Sequence, residues 1–152
     1  MRAVPQFGEA QPGRGYPDRP AAFVVVLGPD GMIATVRVEH ENARPRLDLP
    51  GGGIDAGETA AQAAVRECGE EVGLRIEVDE AFEQADHYFE NIDGGTVNTR
   101  GQFFAARLVG EAPELKIEDD HTLVWMSPEQ AVMRLSRDSH AWAVAAWLRR
   151  AR

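Results

Sequence analysis

The stretch GGIDAGETAAQAAVRECGEEVGL, residues 52–74, decides how this chain is read. It opens on a glycine turn, because Pro50 and Gly51 precede Gly52 and Gly53. Thr59 is placed to cap a helix with Gln62 three positions on, and Gly73 to end it in a left-handed conformation, so a helix is expected over 59–72. At 3.6 residues per turn, Glu67, Glu70 and Glu71 share one face of it. Ala61, Val65, Cys68 and Val72 form an apolar stripe on the other. Ala60 and Ala63 fall on the acidic face, where small side chains let a loop or ligand come close.

Crowded glutamates repel one another and weaken a helix. Arg66 can offset one of them, but not all. A divalent ion is the natural remedy, and a set of oxygen ligands suits Mg²⁺ or Mn²⁺, which also bind phosphates. Taken alone, such a cluster on a helix is usually only a solvated face. The glycine run changes the weighing, because its backbone amides can approach anions without side chains in the way.

Taken together, the segment resembles the Nudix box, Gly-x5-Glu-x7-Arg-Glu-U-x-Glu-Glu-x-Gly-U, where U is a bulky aliphatic. Gly52, Glu58, Arg66, Glu67, Glu70, Glu71, Gly73 and Leu74 match, and Leu49-Pro50-Gly51 fits the lead-in. Cys68 stands at a U position, where a buried thiol acts as a small hydrophobe. The Val124-Trp125-Met126-Ser127-Pro128 junction and the C-terminal helix also resemble MutT-type Nudix domains.

The resemblance implies an α/β/α sandwich that hydrolyses a nucleoside diphosphate linked to another moiety. It implies Glu67, Glu70 and Glu71 as metal ligands with the Gly52 backbone, and Glu67 as a candidate general base. By the same resemblance Arg66 orients a glutamate, Glu58 braces the loop or binds a water at the metal, and Gly53 contacts metal or phosphate. A further acid from outside the box is expected from Glu111, Glu114, Glu118, Asp119 and Asp120. Sequence position favours Glu114, local context favours Glu111, and the two are not separated. Asp120 and His121 could instead contact a base or sugar, although an exposed His121 is favoured. His87, Tyr88 and Phe89 are candidates for a base-stacking wall, with Phe89 the more expected in packing.

Further out, residues 1–20 carry Pro5, Pro12, Pro17 and Pro20 among glycines and are expected as an extended arm that orders only by docking. Residues 21–152 are expected as a single domain. Residues 22–28 (AFVVVLG) read as a buried strand, Pro29-Asp30-Gly31 as a hairpin turn, and residues 32–39 as a strand returning along the first. Leu47-Asp48-Leu49 is a brief extended piece. Residues 76–84, 87–89, 101–109 and 121–126 read as further strands, with loops at 91–98 and 111–120. Ser127, Pro128 and Gln130 start a helix, and another is expected at about 139–150. Interleaved strands and helices predict an α/β fold with helices on both faces of a mixed sheet.

With 43% apolar and 27% charged residues the chain reads as an ordinary globular protein. A net charge of −9 argues against nucleic acid polymers and anionic membranes as partners. It also raises the question of how an acidic surface takes a phosphate substrate. The single Cys68, the absence of a signal-type N-terminus and the lack of a long apolar run predict a cytoplasmic protein. The expected substrate is a small nucleotide, with a (d)NTP as the default. Two other classes stay in view, a nucleotide-binding sensor and an isomerase on the same fold. A homodimer is also in view, because the arm could cross to a second subunit.

Overall fold

The computed structural model describes residues 3–151. Its spine is β2 (Asp18–Leu27), whose successive side chains go to opposite sides. Ala22, Val24 and Val26 pack with Ala64, Cys68 and Val72 of α1 (Ala60–Val72) in one core. Ala21, Phe23 and Val25 pack in a second core with Ala131 of α2 (Pro128–Arg134) and with Ala143 and Val144 of α3 (Asp138–Arg150). A strand covered on both faces is apolar at every position, which explains the unbroken AFVVVL run. The fold is the expected α/β/α sandwich.

The other strands are β1 (Gln6–Phe7), β3 (Ile33–Val38), β4 (Arg46–Asp48), β5 (Gly51–Gly53), β6 (Leu74–Glu90), β7 (Thr96–Glu111) and β8 (His121–Met126). The sheet runs β1-β6-β7-β2-β3-β4, with β5 added to β2 and β8 to β3. It is mixed: β7 lies parallel to β2 and β1 parallel to β6, while the remaining pairs are antiparallel. Among the described residues no helix is long and apolar enough to cross a membrane.

Three expectations need correction. The turn at Pro29–Gly31 forms, with Asp30 at φ 61°, yet β3 meets β2 at the single pair Leu27–Ile33. The glycine strand occupies that edge instead: Ala21, Ala22 and Phe23 face Gly53, Gly52 and Gly51, and Val24 N–H donates to Pro50 O at 3.0 Å. So β3 finds its partners in β4 and β8.

Secondly, the two short strands at 76–84 and 87–89 are one long strand, and the loop at 91–98 shrinks because Phe89 and Glu90 pair with Val97 and Thr96. Asp86 sits in the strand because Arg100 neutralises it at 2.8 Å. Thirdly, the apolar stripe of α1 is turned: Val65 is 37% exposed, whereas Ala63 and Ala64 are fully buried. The acidic face is therefore packed as well, against the side-chain-free β5.

The N-terminal arm docks on its own chain. Asp86 N–H donates to Pro5 O at 2.9 Å, and Phe7 lies against His87 and Trp142 with ring centroids 6.3 and 5.8 Å away. Tyr16 meets Tyr88 edge-on at 4.9 Å. Arg14 bonds the Gly94 carbonyl and pairs with Glu90 at 3.3 Å. Because β2 starts at Asp18, it crosses the division drawn after residue 20.

Candidate active site

The site is built where α1 meets β5. Both helix ends follow from local sequence: Thr59 Oγ1 accepts from Gln62 N–H at 3.1 Å, Gln62 Oε1 accepts from Thr59 N–H at 2.9 Å, and Gly73 closes the helix at φ 67°. Gly51 has φ 149°, and a Cβ there would fall 2.2 Å from Ala22 O, so no other residue fits. Its N–H donates to Glu71 Oε1 at 2.9 Å. At Gly52 a Cβ would stand 2.8 Å from Glu67 Cδ. Missing side chains on the strand thus admit two glutamates from the helix.

Arg66 ties the cluster together. Its guanidinium reaches Glu58 at 2.8 and 3.0 Å, Glu67 at 2.9 Å, Glu70 at 3.1 Å and Gly53 O at 3.1 Å. Glu58 also accepts Asp55 N–H at 2.9 Å, so it braces both the loop and the arginine. With the Arg66 hydrogen bond as the main cause, the Glu58 carboxyl drops to about 2. Glu67 and Glu71 go the other way. Burial raises both, and at Glu71 it prevails over the opposing hydrogen bonds from His121 and Gly51.

A fourth glutamate arrives from the acidic loop. Ile117 and Glu118 donate their N–H groups to the Glu70 carbonyl at 2.9 and 3.1 Å, which docks this loop on the C-terminal half of α1. Glu118 thereby enters the pocket lining beside Glu67 and Glu71. The candidates Glu111 and Glu114 lie elsewhere. Glu111 ends β7 opposite Leu74, and Glu114 is exposed and pairs with Arg75 at 3.4 Å.

The sequence favours an exposed His121, yet its side chain is only 14% exposed. It lies 3.2 Å from Glu71 and 2.7 Å from Asp120, and the Glu71 bond is the main reason its imidazole is raised to about 9.

These groups open on a pocket of about 260 Å³ lined by Glu67, Glu71, Glu118 and the Gly51 and Gly52 backbone. Arg19, Arg46, Asp48, Arg137 and Phe23 line the same pocket. An all-oxygen donor set of this kind could hold Mg²⁺ or Mn²⁺. Glu118, Asp120 and His121 offer a second set of ligand atoms within 4.8 Å of one another. In that set both ring nitrogens of His121 already face carboxylates, those of Glu71 and Asp120.

With this geometry the comparisons agree. The model of the NUDIX domain family matches residues 17–148. The chain belongs to the Nudix family. It is 31% identical over 115 residues to an RNA pyrophosphohydrolase of Sphingopyxis alaskensis, covering 69% of this chain and 72% of that protein. Over 89 residues it is 36% identical to a putative 8-oxo-dGTP diphosphatase of Bacillus subtilis, covering 53% of this chain and 58% of that protein. A solved NUDIX hydrolase from Nitrosomonas europaea has the same fold, with TM-score 0.70 and 17% identity over 86% of this chain and 88% of the other. A MutT protein from Methanosarcina mazei gives TM-score 0.66 and 20% identity over 88% and 93%. Accordingly, this is a Nudix hydrolase.

In this Nudix chain the aromatic candidates are already partnered. His87 lies under Phe7, Tyr88 against Tyr16, and Phe89 under Arg137 at 3.8 Å, and none of the three lines the pocket. The Gly53 carbonyl accepts a hydrogen bond from Arg66, and the Glu70 carboxylate accepts one from the same arginine. Arg46, Asp48 and Arg137 had no place among the expected site residues. The alternation Arg46-Leu47-Asp48, just before the glycine run, was the available signal, since it puts both charges on one side of a strand. Arg137 is brought in by the fold alone.

Proposed function

We propose that this Nudix hydrolase is Mg²⁺-dependent, with Mn²⁺ as a substitute, and cleaves a phosphoanhydride bond in a nucleoside diphosphate linked to another moiety, with a (d)NTP as the default substrate. The observation that carries this reading is the convergence of Glu67, Glu71 and Glu118 with the Gly51–Gly52 backbone on one pocket that Arg19, Arg46 and Arg137 also line. These arginines also answer how a chain of net charge −9 takes a phosphate substrate.

Glu67, Glu70, Glu71 and Glu118 would hold the metal, near the Gly52 backbone. Bound there, it would draw charge from the phosphoryl oxygens and make an attacking water more acidic. The chain's own part is positioning. Glu58 fixes Arg66, and Arg66 fixes Glu67 and Glu70, so the carboxylates keep their places without a ligand. Glu67, held by Arg66 at the pocket, is placed to accept the proton of water attacking in line at phosphorus. His121 and the Gly51 N–H hold Glu71 from the far side.

A second reading takes the 5′ end of RNA as substrate, favoured by the likeness to the Sphingopyxis alaskensis RNA pyrophosphohydrolase. The net charge of −9 speaks for small nucleotides over a polymer. A cytoplasmic setting fits the single buried Cys68.

The test is incubation with Mg²⁺ and a panel of (d)NTPs, ADP-ribose, NADH, sugar nucleotides, dinucleoside polyphosphates and 5′-triphosphorylated RNA. We expect metal-dependent release of phosphate or pyrophosphate from a nucleoside triphosphate. Tight binding without turnover would instead make the protein a sensor, and rearrangement without hydrolysis an isomerase.

A further inference from the structure

The arginines of the glutamate pocket carry more positive charge than neighbouring acids offset. Arg137 is only 9% exposed, and both its Nε and the Asp48 Oδ1 facing it are buried without a hydrogen bond among the described residues. The two atoms stand 3.6 Å apart, too far to bond. The other Asp48 oxygen is taken by Arg46 Nε at 2.7 Å, so two guanidinium groups share one carboxylate. Burying such a cation is costly unless hydrogen bonds compensate it.

The Arg137 guanidinium carbon lies over the Phe89 ring, 3.8 Å from its centroid, a cation–π contact that leaves its N–H groups to make its hydrogen bonds. Arg46 lies 5.4 Å from the same ring. A guanidinium pair held in this way matches the oxygens of a phosphate, which can take two parallel N–H bonds. Both arginines line the same pocket as Glu67, Glu71 and Glu118.

We propose that Arg46 and Arg137, steadied by Asp48 and Phe89, form a subsite for the phosphoryl group next to the scissile diphosphate. The enzyme then selects substrates with three phosphates in a row over those whose diphosphate is capped by a sugar or a second nucleoside. This rests on the phosphoanhydride reading above.

Calorimetry tests it with methylene-bridged analogues of pyrophosphate and inorganic triphosphate, which cannot be hydrolysed, added to the protein in Mg²⁺. The triphosphate analogue is expected to bind the native protein about tenfold more tightly or better, the size of one charge-assisted contact. R46Q and R137Q should each erase that preference. Both variants strip a partner from buried Asp48; Arg46 is half-buried where Arg137 is buried, so R46Q is the variant expected to fold, which its thermal melt checks, and it keeps the test open. Equal binding of both analogues by the native protein, or a preference that survives R46Q, overturns the subsite. Binding is read without turnover. An inactive protein that still prefers the triphosphate analogue supports the subsite and sinks the hydrolytic reading, and an active one that binds both equally does the reverse.

Discussion

Glu67 occupies the space that Gly52 leaves free: a Cβ on Gly52 would stand 2.8 Å from the Glu67 carboxyl carbon and 2.9 and 3.0 Å from its oxygens. The atoms it would strike are the far end of a flexible side chain, so the fold can yield while the carboxylate moves. Gly52→Ala should therefore cost under about 1 kcal/mol of stability. It should lower kcat by about tenfold or more, since a displacement near 1 Å is enough to spoil an aligned site. Melting and steady-state kinetics on one preparation separate the two effects.

Arg66 faces Glu58, Glu67 and Glu70 together. Arg66→Gln leaves those carboxylates without their cation, and the metal-free protein should lose about 1–3 kcal/mol. Mg²⁺ should restore part of that loss by supplying positive charge to the same cluster. A thermal melt of the variant that does not respond to Mg²⁺ would count against a shared cation site.

Acid should act through Glu58, whose carboxyl falls from 4.5 to about 2 on folding, chiefly through its bond to Arg66. A depressed pKa means a contribution fully present above pH 4.5 and lost as pH falls toward 2. In metal-free protein, Glu58→Gln should flatten the decline of stability across that window while lowering stability at neutral pH. Chemical denaturation at a series of acidic pH values reads the difference. Parallel curves for the two proteins would remove Glu58 from the acid response.

How far the sequence reaches is decided by distance along the chain. Thr59, Gln62 and Gly73 bound α1 through contacts within a few residues, and those are legible. So is the burial of β2 on both faces, which its unbroken apolar run declares. The facing of α1 is missed by about one position, because β5 has no side chains and lets Ala63 come as close as Ala64. Glu118 was hidden among five loop acids, since only the bonds from Ile117 and Glu118 to Glu70 O select it. Arg137 meets Asp48 from 89 positions away, a juxtaposition that periodicity and motif spacing do not carry.

Cys68, the departure from the box pattern, lies fully buried, and burial pushes its thiol up to about 12. In the native protein it should resist thiol reagents at neutral pH and react only on unfolding. Cys68→Val should change kcat little and stability by less than about 1.5 kcal/mol, as a near-isosteric core swap. A collapse in rate with the fold intact would mean that the thiol takes part in the site.

The glutamates that α1 turns toward β5 are expected to hold a divalent cation. Calorimetric titration of Mg²⁺ or Mn²⁺ into the protein, with a non-hydrolysable nucleoside triphosphate present, reads that directly. Saturable uptake is predicted in the native protein, with uptake weakened by about tenfold or more in Glu67→Gln and Glu71→Gln. No uptake in the native protein, or unchanged uptake in both variants, would contradict it.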